Sequence, residues 1–372
     1  MFSSSLTDFR KLMVVYLFWS ASWIIAGGLF ELYLFQSGVP ISEIYLVNSF
    51  WFLASLILPP LFKGFNARLF MLLGIVTAFS ASAVLFLYPG IGSAYLFRLL
   101  IGVTQVFFWI PFNVLYYEFS KDNNARMGAM YYSLSPALSL VIPALSGLLV
   151  SSLGFPALFL AAMVSYTITF FLGITLLPNK NYKYDFFESI KSIDGLKSIF
   201  FLEGFSVAVM ISLTIDLVLL LYIDRPLDFG IFVSLATIFS IVASVVTAHF
   251  SDKIKDRRKF ILPSVAFLGL SAIMASISQE LGIFFFFFGM INFFSRIFLP
   301  LPLALSVDNS KSIVSTMLGR EFLLNLGRFS GALIGYIIIF NSDIKMALLF
   351  QGVAILLYIP IFEAKKKKLE KH

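Results

Sequence analysis

The chain contains no cysteine and only two histidines, His249 and His372, among its 372 residues. The missing cysteines exclude disulfide bonds, iron–sulfur clusters and zinc sites with thiolate ligands. With so few histidines we expect no metal centre, no catalytic residues and no cofactor. The sequence also lacks a glycine-rich phosphate loop ending in Lys-Ser or Lys-Thr, so we expect no ATP-driven motor within it.

Charge is scarce as well. Only 13% of the residues are charged, 59% are hydrophobic and the mean hydropathy is +0.94. A soluble domain has about 25% charged and about 45–50% apolar residues, so the composition predicts a polytopic protein of the lipid bilayer. With about 20 residues of each helix in hydrocarbon, and a turn added, the length accommodates roughly 12 helices and leaves no room for a soluble domain.

Long apolar runs predict twelve transmembrane helices. Strands of a membrane barrel are about 10 residues long and alternate in polarity, which excludes a barrel for runs that are longer and continuously apolar. The predicted helices lie near residues 12–35, 42–61, 67–88, 93–119, 127–151, 155–177, 196–223, 228–250, 260–279, 281–305, 316–340 and 345–363.

The basic residues predict the orientation. If the N-terminus is cytoplasmic, 21 of the 27 Lys and Arg residues fall on the cytoplasmic side and only Arg225 and Lys345 fall outside. Such a bias is the positive-inside signal. We therefore expect a multi-pass protein of the cell membrane with both termini in the cytoplasm. The net charge of +7 then reflects topology, and no nucleic-acid partner is expected.

The longest polar stretch, residues 178–195, divides the chain into halves of similar length. We expect an N-terminal six-helix bundle over 1–177, a cytoplasmic linker over 178–195, and a C-terminal six-helix bundle with a basic tail over 196–372. Spacings of 12 and 17 residues recur in the two halves, which favours a duplicated bundle of the kind found in two-halved transporters. The repeated pairs are Glu31 with Glu43, Asp216 with Asp228, Pro111 with Gly128, and Pro302 with Gly319.

The segment His249–Phe260, HFSDKIKDRRKF, follows the eighth predicted helix. It resembles the conserved cytoplasmic loop of the major facilitator superfamily (MFS), in which a small residue and an Asp precede a basic cluster. The resemblance implies the MFS fold, an all-α protein of twelve transmembrane helices in two bundles. It also implies a cytoplasmic gate, in which the acid pairs with basic groups and a helix terminus. The alternative is a basic anchor with an incidental carboxylate. The gate residues are Asp252, Arg257, Arg258 and Lys259.

The corresponding loop after the second predicted helix departs from the family pattern. It keeps Lys63, Gly64 and Arg68, but it has no acid where the family places an Asp. The departure leaves open how the N-terminal half is gated.

Two features resemble drug/proton antiporters of this superfamily. Arg98 and Gly102 are spaced as in the family's helix 4 motif, and Pro143, Ser146 and Gly147 partly match its helix 5 signature. An arginine within a span is costly unless it meets a carboxylate or reaches the interface. Arg98 is therefore either a functional group or an interfacial anchor.

Acids within predicted helices are candidates for function. Glu31 and Asp216 lie in helices 1 and 7, which the resemblance places around a central cavity with helices 4 and 10. We expect these acids to couple protons or to bind a cationic substrate. The alternative is that both lie near the outer interface and remain hydrated.

Further charges lie in the C-terminal half. Glu203 is expected to pair with Arg328 or Arg320. Arg296 lies just before the point at which Pro300 and Pro302 are expected to break the helix. Such an arginine is suited to an anionic group of the substrate, or it pairs with Glu203 or Asp216. Arg328 lies deeper than an anchor requires, so it too is a candidate for substrate binding.

Polar and aromatic residues on helices near the expected cavity are candidates for an amphipathic binding pocket. For each of them, ordinary packing is the alternative. The candidates are Trp23, Tyr33, Asn48, Gln105, Trp109 and Asn113.

Together these features predict a monomeric secondary active transporter of a small organic solute. It is expected to work by alternating access and to export amphipathic compounds in exchange for protons. The alternatives are proton-coupled uptake of a sugar or organic anion, and an MFS-like sensor without transport. A membrane enzyme is disfavoured because the predicted outside loops are short and carry no pair of acids.

Overall fold

The structure is a computed structural model that describes residues 2–120, 134–251, 258–300, 302 and 312–369. In these ranges eleven helices are long and apolar enough to cross a membrane, and a twelfth, α9, has a shorter apolar part. The predicted all-α polytopic fold with twelve helices is confirmed. The helices are α1 Thr7–Gln36, α2 Ile41–Leu61, α3 Ala67–Leu87, α4 Ile91–Phe119, α5 Leu134–Leu153, α6 Phe155–Leu176, α7 Asp194–Leu219, α8 Pro226–Ser251, α9 Arg258–Ile277, α10 Leu281–Phe298, α11 Ile313–Asn341 and α12 Ile344–Ala364.

Three helices contain irregular turns. In α1 a turn at Gly28 separates a first helical part, which ends at Gly27, from the helix Phe30–Gln36. In α4 the segment Gln105–Trp109 is π-helical and ends two residues before Pro111, whose missing N–H and bulky ring disturb the preceding turn. In α7 two π-helical turns cover 203–208 and 210–214. Turns of this kind often mark functional sites.

The helices pack in the same way in each half of the chain. In the first half α3 packs against α4 and α6, and α2 packs against α4. In the second half α9 packs against α10 and α12, and α8 packs against α10. Each contact recurs six helices later, so the two halves form equivalent six-helix bundles. This agrees with the repeat predicted from the sequence.

The two bundles meet along α2 and α11 and along α5 and α8. Glycines allow the second contact, because a Cβ at Gly147 would collide with the Pro226 carbonyl and a Cβ at Gly230 with the Pro143 carbonyl. Small residues of this kind let helix backbones approach closely in a membrane. The proline and glycine that resemble an antiporter signature therefore have a packing role here.

Two short strands, which the sequence does not predict, lie outside the helices. Strand β1, Gly64–Asn66, pairs antiparallel with β2, Asn181–Lys183. A short helix, Phe186–Lys191, follows β2 and packs against α11. Strands of three residues are too short to show the alternation on which sequence prediction depends.

The apolar side chains divide between the core and the outer surface. Along α10, Phe284 and Phe288 are buried, whereas Phe286 is 51% exposed. Other large apolar side chains, including Phe171 and Phe340, are also exposed. An apolar outer surface of this extent suits a lipid environment and would be insoluble in water.

We expect Gly230→Ala to weaken the contact between α5 and α8, since overpacking a close helix contact costs about 1–3 kcal/mol. Gly282→Ala in α10 is the matched control, because a Cβ there meets no atom within 4 Å. Thermal unfolding of the two purified variants in detergent compares them. Equal melting temperatures for both variants and the unchanged protein would contradict this packing.

Candidate functional site

A buried ion pair joins α1 and α4. Arg98 donates from Nη2 to Oε1 of Glu31, and the two side chains are only 5% and 6% exposed. The guanidinium also lies over aromatic rings, 4.2 Å from the centroid of Phe30 and 5.2 Å from that of Trp51. Arg98 is therefore compensated inside the bundle and is not an interfacial anchor.

Helix α2 supports this pair from the side. Asn48 is buried next to the Glu31 carboxyl. Gly102, four residues after Arg98, allows the close approach, because a Cβ there would collide with the Trp51 carbonyl and would lie 2.6 Å from Ala54. The spacing of Arg98 and Gly102 thus serves both the ion pair and the packing of α4 on α2.

Asp216 in α7 is the acid that the repeat relates to Glu31. Its side chain is partly exposed, and it has no hydrogen bond or ion pair with any residue in the described part of the chain. It lies near enough to Glu31 for the two carboxyls to repel each other. Arg98 therefore balances only one of the two acids, and Asp216 has no basic partner among the described residues.

A tyrosine that sequence reasoning missed links the two bundles beside these acids. Tyr45 in α2 is fully buried, its hydroxyl lies 2.8 Å from Thr214 in α7, and it accepts a 2.8 Å hydrogen bond from Gln351 in α12. Its ring packs against Gly335 of α11. Since Thr214 precedes Asp216 by two residues, Tyr45 fixes the part of α7 that carries the unpaired acid.

A second group of charged side chains lies within the C-terminal bundle, between α7 and α11. Glu203 pairs with Arg320 at 2.8 Å, and Arg320 pairs with Glu321 at 3.1 Å. Of the two partners expected for Glu203, the structure selects Arg320. Arg328 is more loosely held, 3.8 Å from Glu321, and donates a 2.8 Å hydrogen bond to Asn325.

This second group contacts the N-terminal bundle through Gln105. Gln105 accepts a 2.5 Å hydrogen bond from Trp51 and donates a 3.3 Å bond to Asn325 of α11. The Arg328 side chain is 20% exposed, and its Nε and Nη2 have no hydrogen-bond partner within the described ranges. Arg328 is thus the least fully paired of the charged side chains in this group.

The other aromatic candidates differ in position. Trp23 lies 5.8 Å from the ring of Trp51, and Trp109 makes an edge contact with Tyr16. Tyr33 instead packs against Phe155 and Phe159, with ring centroids 5.1 and 5.3 Å away. Thus Trp23 contacts Trp51, which in turn lies against Arg98, whereas Tyr33 belongs to the packing between α1 and α6.

The remaining polar candidates are apart from these clusters. Asn113 is buried in α4, and Arg296 is half-buried in the last turn of α10. Arg296 is paired with neither Glu203 nor Asp216.

Of the predicted gate, Asp252 and Arg257 lie outside the described residues. Arg258 and Lys259 begin α9, and the gate stays a prediction. Among the residues that the structure describes, no group of three or more His, Asp and Glu side chains could hold a metal ion.

Twelve helices in two equivalent bundles, which meet along α2 and α11 and along α5 and α8, define the fold of MFS-type transporters. The human organic anion transporter MFSD10 (TETRAN) aligns with a TM-score of 0.63 at 12% identity, over 96% of this chain and 98% of its own. Two crystal structures of POT family transporters, one with 5-aminolevulinic acid and one with a thioalcohol-conjugated peptide, align with TM-scores of 0.72 and 0.70. Each of these two alignments has 13% identity and covers 97% of this chain and 96% of the POT family chain. No protein-family model and no curated protein sequence matches the chain.

We expect Glu31→Gln to destabilise the protein strongly, because removing one partner of a buried ion pair costs about 3–5 kcal/mol. The double variant Glu31→Gln/Arg98→Met should recover much of this loss, since neither partner is then left as an unpaired charge. Unfolding in denaturant tests both. Losses that simply add in the double variant would show that the two residues are not coupled.

Proposed function

We propose that the protein is a secondary active transporter of a small organic solute, coupled to protons and working by alternating access. The observation that carries the proposal is Asp216, an acid in α7 that has no partner among the described residues and lies near the Glu31–Arg98 pair. The MFS-type fold supports alternating access, because its two bundles can rock about a site between them.

An unpaired carboxylate at membrane depth is costly, and binding a proton or a cation removes its charge. Asp216 can therefore exist in two charge states that favour different arrangements of the bundles. Glu31 is less free to do so because Arg98 holds it. We assign the coupling proton to Asp216 and a supporting role to Glu31.

Export of amphipathic compounds is the direction and substrate class that we favour. Two partly buried aromatic side chains, Trp23 and Trp51, contact each other beside Arg98, and such surfaces suit apolar parts of a solute. The motif of Arg98 and Gly102 resembles that of drug/proton antiporters. We further propose that the protein acts as a monomer in the cell membrane. Residues 178–195 and both termini would then lie in the cytoplasm, and Asp252 would belong to the cytoplasmic gate.

A second candidate function, uptake of an organic anion, is favoured by Arg328. A guanidinium with free donors can bind a carboxylate in a bidentate manner. One of the similar solved structures is described as an organic anion transporter. The second candidate needs the same proton coupling, so the two differ in the solute and in the direction of transport.

We expect Asp216→Asn to abolish transport driven by a pH gradient in proteoliposomes, because the amide cannot exchange a proton. Exchange of solute without a gradient should remain. Ethidium serves as the amphipathic cation and benzoate as the organic anion. Asp228→Asn, which changes an exposed acid on α8, is the matched control. If Asp216→Asn still responds to the gradient as the control does, the assignment is wrong.

We expect Arg328→Gln to lower benzoate transport at least tenfold if the second candidate is right, with ethidium transport unchanged. A lost bidentate contact to a charged group costs on the order of 1.5–3 kcal/mol, which corresponds to that factor. Arg328→Lys should keep part of the activity. Unchanged benzoate transport by Arg328→Gln would contradict the binding of the anion by Arg328.

A further inference from the structure

The segment between the two bundles is held firmly to the N-terminal bundle. The N–H of Ala67 donates to the Lys180 carbonyl at 2.8 Å, and the N–H of Tyr184 donates to the Lys63 carbonyl at 3.1 Å. These bonds flank the ribbon of β1 and β2. Arg68 adds a 2.8 Å hydrogen bond to the Leu177 carbonyl. The segment is therefore not a free tether.

An acid at the end of α4 strengthens this attachment. Glu118 pairs with Lys180 at 2.7 Å and accepts a hydrogen bond from the Tyr182 hydroxyl. Burial, followed by the interaction with Glu118, raises the pKa of Tyr182, so the hydroxyl keeps its proton and remains a donor. The loop with Lys63 and Arg68 has no acid of its own, and the acid on this side, Glu118, binds the segment between the bundles.

The same segment also contacts the other bundle, through packing at the start of α11. The ring of Phe186 meets Phe322 edge-on at 4.9 Å. Gly319 allows the approach, because a Cβ there would collide with the Ser189 carbonyl and would lie 3.2 Å from Ile193. The contact is a close fit of surfaces, in contrast to the hydrogen-bonded ribbon on the other side.

We propose that residues 177–193 form a strap that stays attached to the N-terminal bundle through the ribbon and Glu118, and docks reversibly on α11 at Gly319 and Phe322. The docked strap holds this face of the protein closed, and its release lets the face open. The proposal rests on the proposed alternating access. The strap is assigned this role because the loop between α2 and α3 lacks the acid that closes this face in the family pattern.

The physical reason for release at α11 is the difference between the two attachments. Opening the ribbon would expose paired backbone groups and break the contacts of Glu118 with Lys180 and Tyr182. Among the described residues, leaving α11 breaks no hydrogen bond or ion pair and separates packed side chains. The weaker contact opens first. The substitution Gly319→Ala should therefore weaken this contact by steric overlap with the Ser189 carbonyl and favour the open face.

Distances between spin labels test the proposal in the chain itself, because it contains no cysteine. Labels at Lys63→Cys and Glu363→Cys report on the separation of the two bundles at the strap face. Labels at Lys63→Cys and Lys191→Cys report on whether the strap stays with the N-terminal bundle. All three positions are exposed, and the measurement needs no substrate, so its outcome is separate from that of the transport assay.

We expect Gly319→Ala to shift the Lys63–Glu363 distances towards a longer population by roughly tenfold in ratio, as overpacking of a close interface implies. Phe322→Ala should shift them in the same direction by removing the ring contact. The Lys63–Lys191 distance should stay constant in both variants. Gly195→Ala is the matched control, because a Cβ at Gly195 meets no atom within 4 Å.

Two results would overturn the proposal. If Gly319→Ala and Phe322→Ala both give the distances of the Gly195→Ala control, the strap does not hold the face closed. If the Lys63–Lys191 distance lengthens instead, the strap leaves the N-terminal bundle. The proposal that the contact with α11 opens first would then be wrong. Phe322→Ala keeps the test valid even if Gly319→Ala prevents folding.

Discussion

Lipid offers neither water nor counter-ions, so charges inside the membrane part of this chain have to be neutralised by the protein itself. The Glu31–Arg98 pair joins α1 to α4, and the Glu203–Arg320 pair joins α7 to α11. Each pair thus joins two helices of the same bundle. Among the described residues, Asp216 has no such partner. In the proposed mechanism, the binding of a proton to Asp216 favours a different arrangement of the two bundles.

The contacts between the bundles determine which arrangement is possible. Gly147 and Gly230 bring α5 and α8 together, and Tyr45 connects α2 to α7, α11 and α12. Tyr45 lies beside the part of α7 that carries Asp216, while the strap packs on the start of α11. In the proposed mechanism, α7 and α11 connect the proton-binding residue with the strap.

Helix positions followed from hydropathy, because the requirement to span hydrocarbon leaves a strong and simple pattern. The pairing of Glu203 with Arg320 was among the alternatives that the sequence offered, since few charges occur at that depth. Tyr45 was not foreseen, because a tyrosine within an apolar run gives no sign of its partners. The ribbon of β1 and β2 also escaped prediction, since its strands are short and far apart in sequence.

Asp216 carries the central claim, and its protonation can be observed directly. Infrared difference spectroscopy of the purified protein over a range of pH detects the carbonyl band of a protonated carboxyl group. We expect a band that grows as the pH is lowered, persists in Glu31→Gln and is absent in Asp216→Asn. A titrating band of full size in Asp216→Asn would contradict the account.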